Sequence, residues 1–255
     1  MVFCAPSLRE RIGNVLGMKP TGVVITPLST YERHGWYSAE LVWFLIASSQ
    51  NRNYNVTFHP VHKVDPVMAA RNLAGKWFLA KSNAEWLCMI DNDMAPQMNL
   101  LTLLDDAYQV HDIIAPQMHL WNEVHHFPAL CWETKEHLGG KLTPEQTKEL
   151  LSKKMVELNG CGTGAIFIRR RVLEQMPYPW FKRTFDEDGR MTASEDMLFM
   201  HDAVAKGFRI WGHTQHVVGH YRSVDLSTIP VPRKDITPES FLDTVEENEH
   251  VHASS

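Results

Sequence analysis

Paired cysteine motifs are missing from this sequence. Its four cysteines, Cys4, Cys88, Cys131 and Cys161, are scattered with no Cys-x-x-Cys spacing, which argues against a disulfide framework and for reduced thiols in a cytoplasmic protein. A long apolar run is missing too. The most apolar stretch, Trp36 to Ala47, contains Glu40 and is too short to cross a bilayer, and the opening MVFCAPSLRERIGNVLG has no signal-peptide core. No internal repeat is visible. The net charge of -5 excludes a broadly basic nucleic-acid surface and leaves room only for a local basic groove. What is present is a 255-residue chain with 44% apolar residues, enough to bury the core of one α/β domain.

Along the chain, strand and helix signals alternate. Gly22 to Thr26 reads as a strand closed by Pro27, His34 to Ser49 as a helix and Tyr54 to Val61 as a second strand. Asp65-Pro66 carries a helix-start signal, with Asp as the N-cap and Pro in the first turn. Trp86 to Ile90 is an unbroken apolar run, the pattern of a central strand covered on both faces. A helix from about Met98 to Tyr108 and a short strand at Asp112 to Ala115 follow. The alternation predicts a largely parallel, Rossmann-like sheet flanked by helices. Residues 117–158 break the pattern and read as an insertion. Strand signals return at Ala165 to Ile168 and Phe208 to Trp211, with a helix near Glu195 to Lys206 between them. The domain is expected to span 1–222, with a polar extension over 223–255.

The chemistry centres on Asp91-Asn92-Asp93, directly after the apolar run. Ligands of open α/β sheets bind beyond the carboxyl ends of the strands, and two carboxylates one residue apart can converge on Mg²⁺ or Mn²⁺. On spacing alone the same residues serve equally well as a strand-ending turn. Arg71-Asn72 precedes them in a helix, NGCGTGAIFIRRRVLEQM and SEDMLF follow, and VVGHYR closes the series. In that order these segments resemble the GT-A glycosyltransferases, particularly family 2, from about Val23 to Arg222 and least across 117–158.

The resemblance implies a metal-dependent transferase using a nucleotide-diphosphate sugar such as a UDP- or GDP-sugar. It implies Asp93 as a direct metal ligand, Asp91 near the ribose or the metal, and His220 completing the Mn²⁺ or Mg²⁺ shell. His213 and His216 compete with His220, and a three-histidine zinc site over 213, 216 and 220 would need a helix that Gly212, Gly219 and Val217-Val218 disfavour. It implies a catalytic role for the pair Glu195-Asp196. Thr192-x-x-Glu195 also fits a capping box, so Asp196 is the better base for an inverting reaction, with retention left open. Thr26, Pro27, Arg71 and Asn72 match positions that hold base, ribose or diphosphate, and Gly162 and Gly164 match a loop that lines the donor sugar. The run Gly160 to Ala165 is not a dinucleotide fingerprint, because a strand follows it instead of a helix.

The acceptor is open: a glycan, a small molecule or a modified DNA base. Trp121, His125, His126, Trp132 and Trp180 are aromatic candidates for it. Lys153-Lys154, Arg169-Arg170-Arg171 and Lys182-Arg183 could form a basic strip or simply a solvated face. A sugar-phosphate nucleotidyltransferase and a nucleotide-sugar-binding protein without turnover are the rival readings. The first needs a Gly-rich basic loop where this chain has Pro27-Leu28-Ser29-Thr30-Tyr31.

Overall fold

The computed structural model describes residues 21–30, 37–107, 110–122, 127–136, 142 and 144–221. In chain order the strands are β1 (Thr21–Ser29), β2 (Tyr54–Phe58), β3 (Val61–His62), β4 (Trp86–Asp91), β5 (Met94–Pro96), β6 (Ile113–Asn122), β7 (Phe127–Leu130), β8 (Trp132–Glu133), β9 (Met155–Leu158), β10 (Gly160–Cys161), β11 (Ala165–Arg169), β12 (Thr184–Phe185), β13 (Met191–Ala193) and β14 (Ile210–His220). The helices are α1 (Ala39–Ser49), α2 (Val67–Lys81), α3 (Pro144–Leu151), α4 (Arg170–Gln175) and α5 (Glu195–Ala205), with a 3₁₀ helix at Leu100–Asp106.

The central sheet has the order β2-β1-β4-β11-β6-β14-β5. β2, β1 and β4 are parallel to one another, as are β6 and β14, and β11 lies antiparallel between β4 and β6. Strands β2, β1, β4, β6 and β14 therefore all run one way, and the sheet is mostly parallel. Alternate residues of β4 feed two cores. Leu87 and Met89 pack with Ala74 and Phe78 of α2 and with Phe199 and Met200 of α5. Trp86, Cys88 and Ile90 pack with Leu41 and Phe44 of α1 and with Leu100 and Leu104 of the 3₁₀ helix. Burial on both faces explains the uninterrupted apolar run. No helix among the described residues is long and apolar enough to cross a membrane.

Several local expectations change. β1 does not stop at Pro27 but continues to Ser29, with Pro27 opposite Ile90. Proline is tolerated because the ladder on the other side is interrupted there: β2 pairs as far as Ile25, β3 resumes at Leu28, and no partner needs the missing N–H. Asp65 does not cap α2. The N-cap is Pro66, with no side-chain hydrogen bond. The Thr192–Glu195 capping box is absent as well, since α5 begins at Glu195 behind Ser194 and the Thr192 hydroxyl bonds Thr184 across the β12–β13 hairpin. The strand expected at Asp112 to Ala115 runs on through Pro116 to Asn122, and β9 joins β14, so residues 117–158 contribute to the sheet at both ends.

Candidate functional site

The turn after β4 is fixed by its backbone. Asp91 N donates to Gly164 O at 2.7 Å, Asn92 N to Leu28 O at 3.0 Å, Ser38 N to Asn92 O at 3.3 Å and Tyr221 N to Asp93 O at 2.9 Å. β11, β1, the start of α1 and the end of β14 thus converge on three residues. Gly164 packs closely there, since a Cβ would lie 2.9 Å from Met94 Sδ and push that side chain aside. β14 pairs with β5 at Val218, Gly219 and His220, and this register carries the His220 ring to the turn, with Nε2 3.2 Å from Asp93 Oδ2. Asp93 is buried and His220 partly open.

A charged chain crosses the floor beside this pair. Arg71 of α2 donates through Nη2 to Asp91 Oδ2 at 2.9 Å and through Nη1 to Glu195 Oε1 at 3.1 Å. Glu195 Oε2 accepts from Arg183 Nε at 2.6 Å. Burial by itself would raise the Glu195 carboxyl, but the Arg183 hydrogen bond, a backbone hydrogen bond and the Arg71 and Arg183 charges outweigh it and hold it below the usual range. Asp196 is differently placed. Its Oδ1 accepts from Ser194 Oγ and from Met197 N.

These groups line one cleft of about 380 Å³. Of the residues expected from sequence, it gathers Arg71, Asp91, Asp93, Gly162, Gly164, Glu195, Asp196 and His220. Thr26, Pro27 and Asn72 are not among its lining residues. Thr26 is fully buried in β1, and the cleft meets that strand two positions later, at Leu28, and then at Thr30. Asn72 instead latches a loop: its Oδ1 accepts from Trp180 N at 3.0 Å and Phe181 N at 3.2 Å, and its Nδ2 donates to Phe181 O at 2.7 Å. His213 and His216 contact each other away from His220, and no group of three or more His, Cys, Asp or Glu placed to hold a metal occurs among the described residues. The three-histidine arrangement is therefore not formed. Trp132 and Trp180 are core residues, 0% and 5% exposed. His125, His126 and the Trp121 side chain lie outside the described residues, as does the segment 223–255.

The cleft also contains residues that sequence reasoning passed over: His119, Cys131 and Thr163. His119 lies on the part of β6 beyond Pro116, in the segment read as an insertion, and burial lowers its imidazole from the ordinary value. The Thr163 hydroxyl and the Arg71 Nε are buried without a hydrogen-bond partner. An unmet buried donor costs about 1–3 kcal/mol, so both suit a polar ligand. As a metal site, Asp93 and His220 supply one oxygen and one nitrogen. That is a sparse set, of the kind completed by water and substrate phosphates, and the imidazole suits Mn²⁺ better than Mg²⁺. Asp91 is held by Arg71 instead.

No family model matches this sequence, and no curated protein matches it. Among solved structures it is similar to A197 from STIV, at 17% identity over 80% of this chain and 86% of that one, with a TM-score of 0.53. The likeness is one of fold. More distant matches are GalNAc-T7 with UDP, GalNAc and Mn²⁺ (14% identity, 84% of this chain and 45% of that one, TM-score 0.46) and the catalytic domain of Drosophila beta1,4galactosyltransferase 7 with xylobiose (12%, 80% and 72%, TM-score 0.44).

Proposed function

We propose that this protein is a metal-dependent glycosyltransferase of GT-A type, transferring a sugar from a nucleotide-diphosphate donor to an acceptor hydroxyl. One observation carries the reading: Asp93 and His220, 127 positions apart, meet at 3.2 Å in a cleft beyond the end of β4 that Asp196 also lines. In this reading Asp93 and His220 hold Mn²⁺ or Mg²⁺. Held by these two side chains, the cation would supply Lewis-acid stabilisation of the negative charge that develops on the departing nucleoside diphosphate.

The remaining roles belong to the chain itself. Arg71 keeps Asp91 at the cleft wall, where its carboxylate can accept from the donor ribose. The Thr163 hydroxyl and the Gly162–Gly164 backbone face the donor sugar. Asp196 is the base, removing the acceptor proton as the oxygen attacks the anomeric carbon from the side opposite the leaving group. Its Oδ1 is held by Ser194 and Met197, and Oδ2 accepts no hydrogen bond among the described residues. Glu195, with each oxygen already bound by an arginine, positions Arg71 rather than moving a proton.

Calorimetry with UDP and Mn²⁺ tests the metal half: Asp93→Ala abolishes metal-dependent binding, and unchanged binding overturns the assignment. Asp196→Asn tests the chemical half by keeping donor affinity while losing transfer. Normal transfer in that variant means another base or a retaining reaction. A wild-type protein that holds the nucleotide but neither transfers nor hydrolyses any UDP-, GDP- or dTDP-sugar is a binding protein instead.

A further inference from the structure

A second cavity, of about 560 Å³, lies between α2 and the segment 178–183. One ion pair joins it to the donor cleft, because Arg183 lines this cavity while its partner Glu195 lines the cleft. Neighbouring residues of α2 divide the work. Arg71 serves the cleft, and Asn72 fixes the cavity wall by holding the backbone of Trp180 and Phe181. That wall is built tightly against the helix: a Cβ on Gly75 would lie 2.7 Å from the Trp180 ring.

The lining has two characters. Met68, Leu73, Pro179 and Phe181 make an apolar surface, and Leu73 and Tyr178 are 48% and 53% exposed at its rim. Its charged lining consists of Lys76, Lys182 and Arg183, with no acidic side chain. Lys182 is paired with Asp202 at 2.9 Å. Lys76 is not: its ammonium stands 4.0 Å above the Tyr178 ring and has no carboxylate partner among the described residues. Arg183 spends only Nε on Glu195, which leaves its terminal nitrogens for an anion.

We infer that this cavity anchors the acceptor, and that the acceptor is a phosphate monoester on an apolar body. The phosphate is held between Lys76 and Arg183 and the apolar part lies over Leu73, Phe181 and Tyr178. A dianionic phosphate matches two open cations, and the guanidinium fork suits its geometry. The inference rests on the transferase reading for the word acceptor, but the binding itself does not. Arg183 links this anchor to Glu195, the residue before the proposed base, through their 2.6 Å ion pair.

A nucleic acid fits less well. Of the cations in the basic segments, Lys153 and Lys154 pair with Glu149 and Asp106, Arg171 with Asp112, and Arg170 with the carbonyls at the end of α2 and with Glu174. They do not extend the cavity into a phosphate-tracking strip.

Titration of the full chain with geranyl monophosphate tests this without any donor, so it can fail independently of UDP–Mn²⁺ binding measured on the same sample. Binding is expected, about tenfold weaker in Lys76→Ala, an exposed position whose loss leaves the fold intact. Geraniol and inorganic phosphate each bind at least about tenfold more weakly than the joined ligand. Equal affinity in wild type and Lys76→Ala overturns the site. Tight binding of a short single-stranded oligonucleotide, lost in Lys76→Ala, overturns the ligand class in favour of nucleic acid.

Discussion

Strand β14 holds histidines in two settings, one at the wall of the cleft and one sealed inside the protein. At its end, His220 faces the Asp93 carboxylate at the cleft with its side chain 26% exposed. Seven residues earlier His213 is wholly buried, its Nε2 3.1 Å from Asp106 Oδ2 and its Nδ1 3.0 Å from His216 Nδ1. His216 Nε2 in turn meets Thr102 Oγ1 at 2.6 Å. The inner pair spends every ring nitrogen inside the protein, tying β14 to the 3₁₀ helix where the strand slips register between His213 and Val217. The outer histidine meets the Asp93 carboxylate at a cleft wall. The same residue type on the same strand sits in different surroundings: one site opens toward solvent and the other does not.

The sharpest way to break this comparison is to remove one histidine from each setting. His220→Ala is expected to weaken Mn²⁺-dependent UDP binding roughly 100-fold, about 3 kcal/mol, while leaving the urea midpoint near wild type. His213→Ala is expected to do the reverse. It opens a cavity, strands His216 Nδ1 and leaves Asp106 with one fewer partner, for a loss of about 2–3 kcal/mol of stability with the variant still binding UDP–Mn²⁺. If both variants lose binding equally, β14 acts as one unit and the distinction fails.

A pH series sharpens it. Burial, reinforced by the nearby His213 and Lys154 charges and opposed by Asp106, lowers the His216 imidazole to about 4. The unfolded chain takes up that proton near 6.5 and the folded chain only near 4, so the unfolded state binds more protons in between. Stability is therefore full above about pH 6.5 and falls as the pH drops toward 4, by on the order of 2–3 kcal/mol from this group. Carboxylates titrate in the same window, so the readout is a difference: the fall in urea midpoint between pH 7 and 4.5 is smaller in His216→Gln than in wild type. Parallel curves for the two proteins would remove His216 from the account.

What the sequence could reveal follows the same division. The β4 run and the Asp91–Asp93 turn were legible because burial on both faces writes itself as continuous apolarity and the acidic turn follows immediately. The place of His220 at the cleft was legible only through the resemblance of VVGHYR to the GT-A glycosyltransferases. The middle of β14 was not, since Gly212 to His216 is polar, and only its partners on the 3₁₀ helix and on β9 make a strand of it. His119 was hidden for a related reason: Pro116 looks like an end to β6, yet the strand passes through it. Asn72 misled because the residue beside a cleft-facing arginine on a helix points elsewhere, here into the loop at Trp180. None of these signals is local, so composition and spacing cannot carry them.

The smallest expected effect is also the cleanest test of independence between the two settings. Lys154 Nζ lies 2.6 Å from Asp106 Oδ1, with the lysine side chain 53% exposed, so Lys154→Met should cost less than about 1 kcal/mol at neutral pH. Its backbone carbonyl, which accepts from Thr214 N at 3.1 Å, survives the change and keeps the bulge in place. Removing the ammonium takes one repelling charge away from His216, so the acid-side loss of stability should shrink slightly. UDP–Mn²⁺ affinity should stay within about twofold, because the substitution reaches only the inner histidine pair. A larger change in affinity would mean that the register of the bulge is felt at His220, and that the two ends of β14 are coupled through the strand.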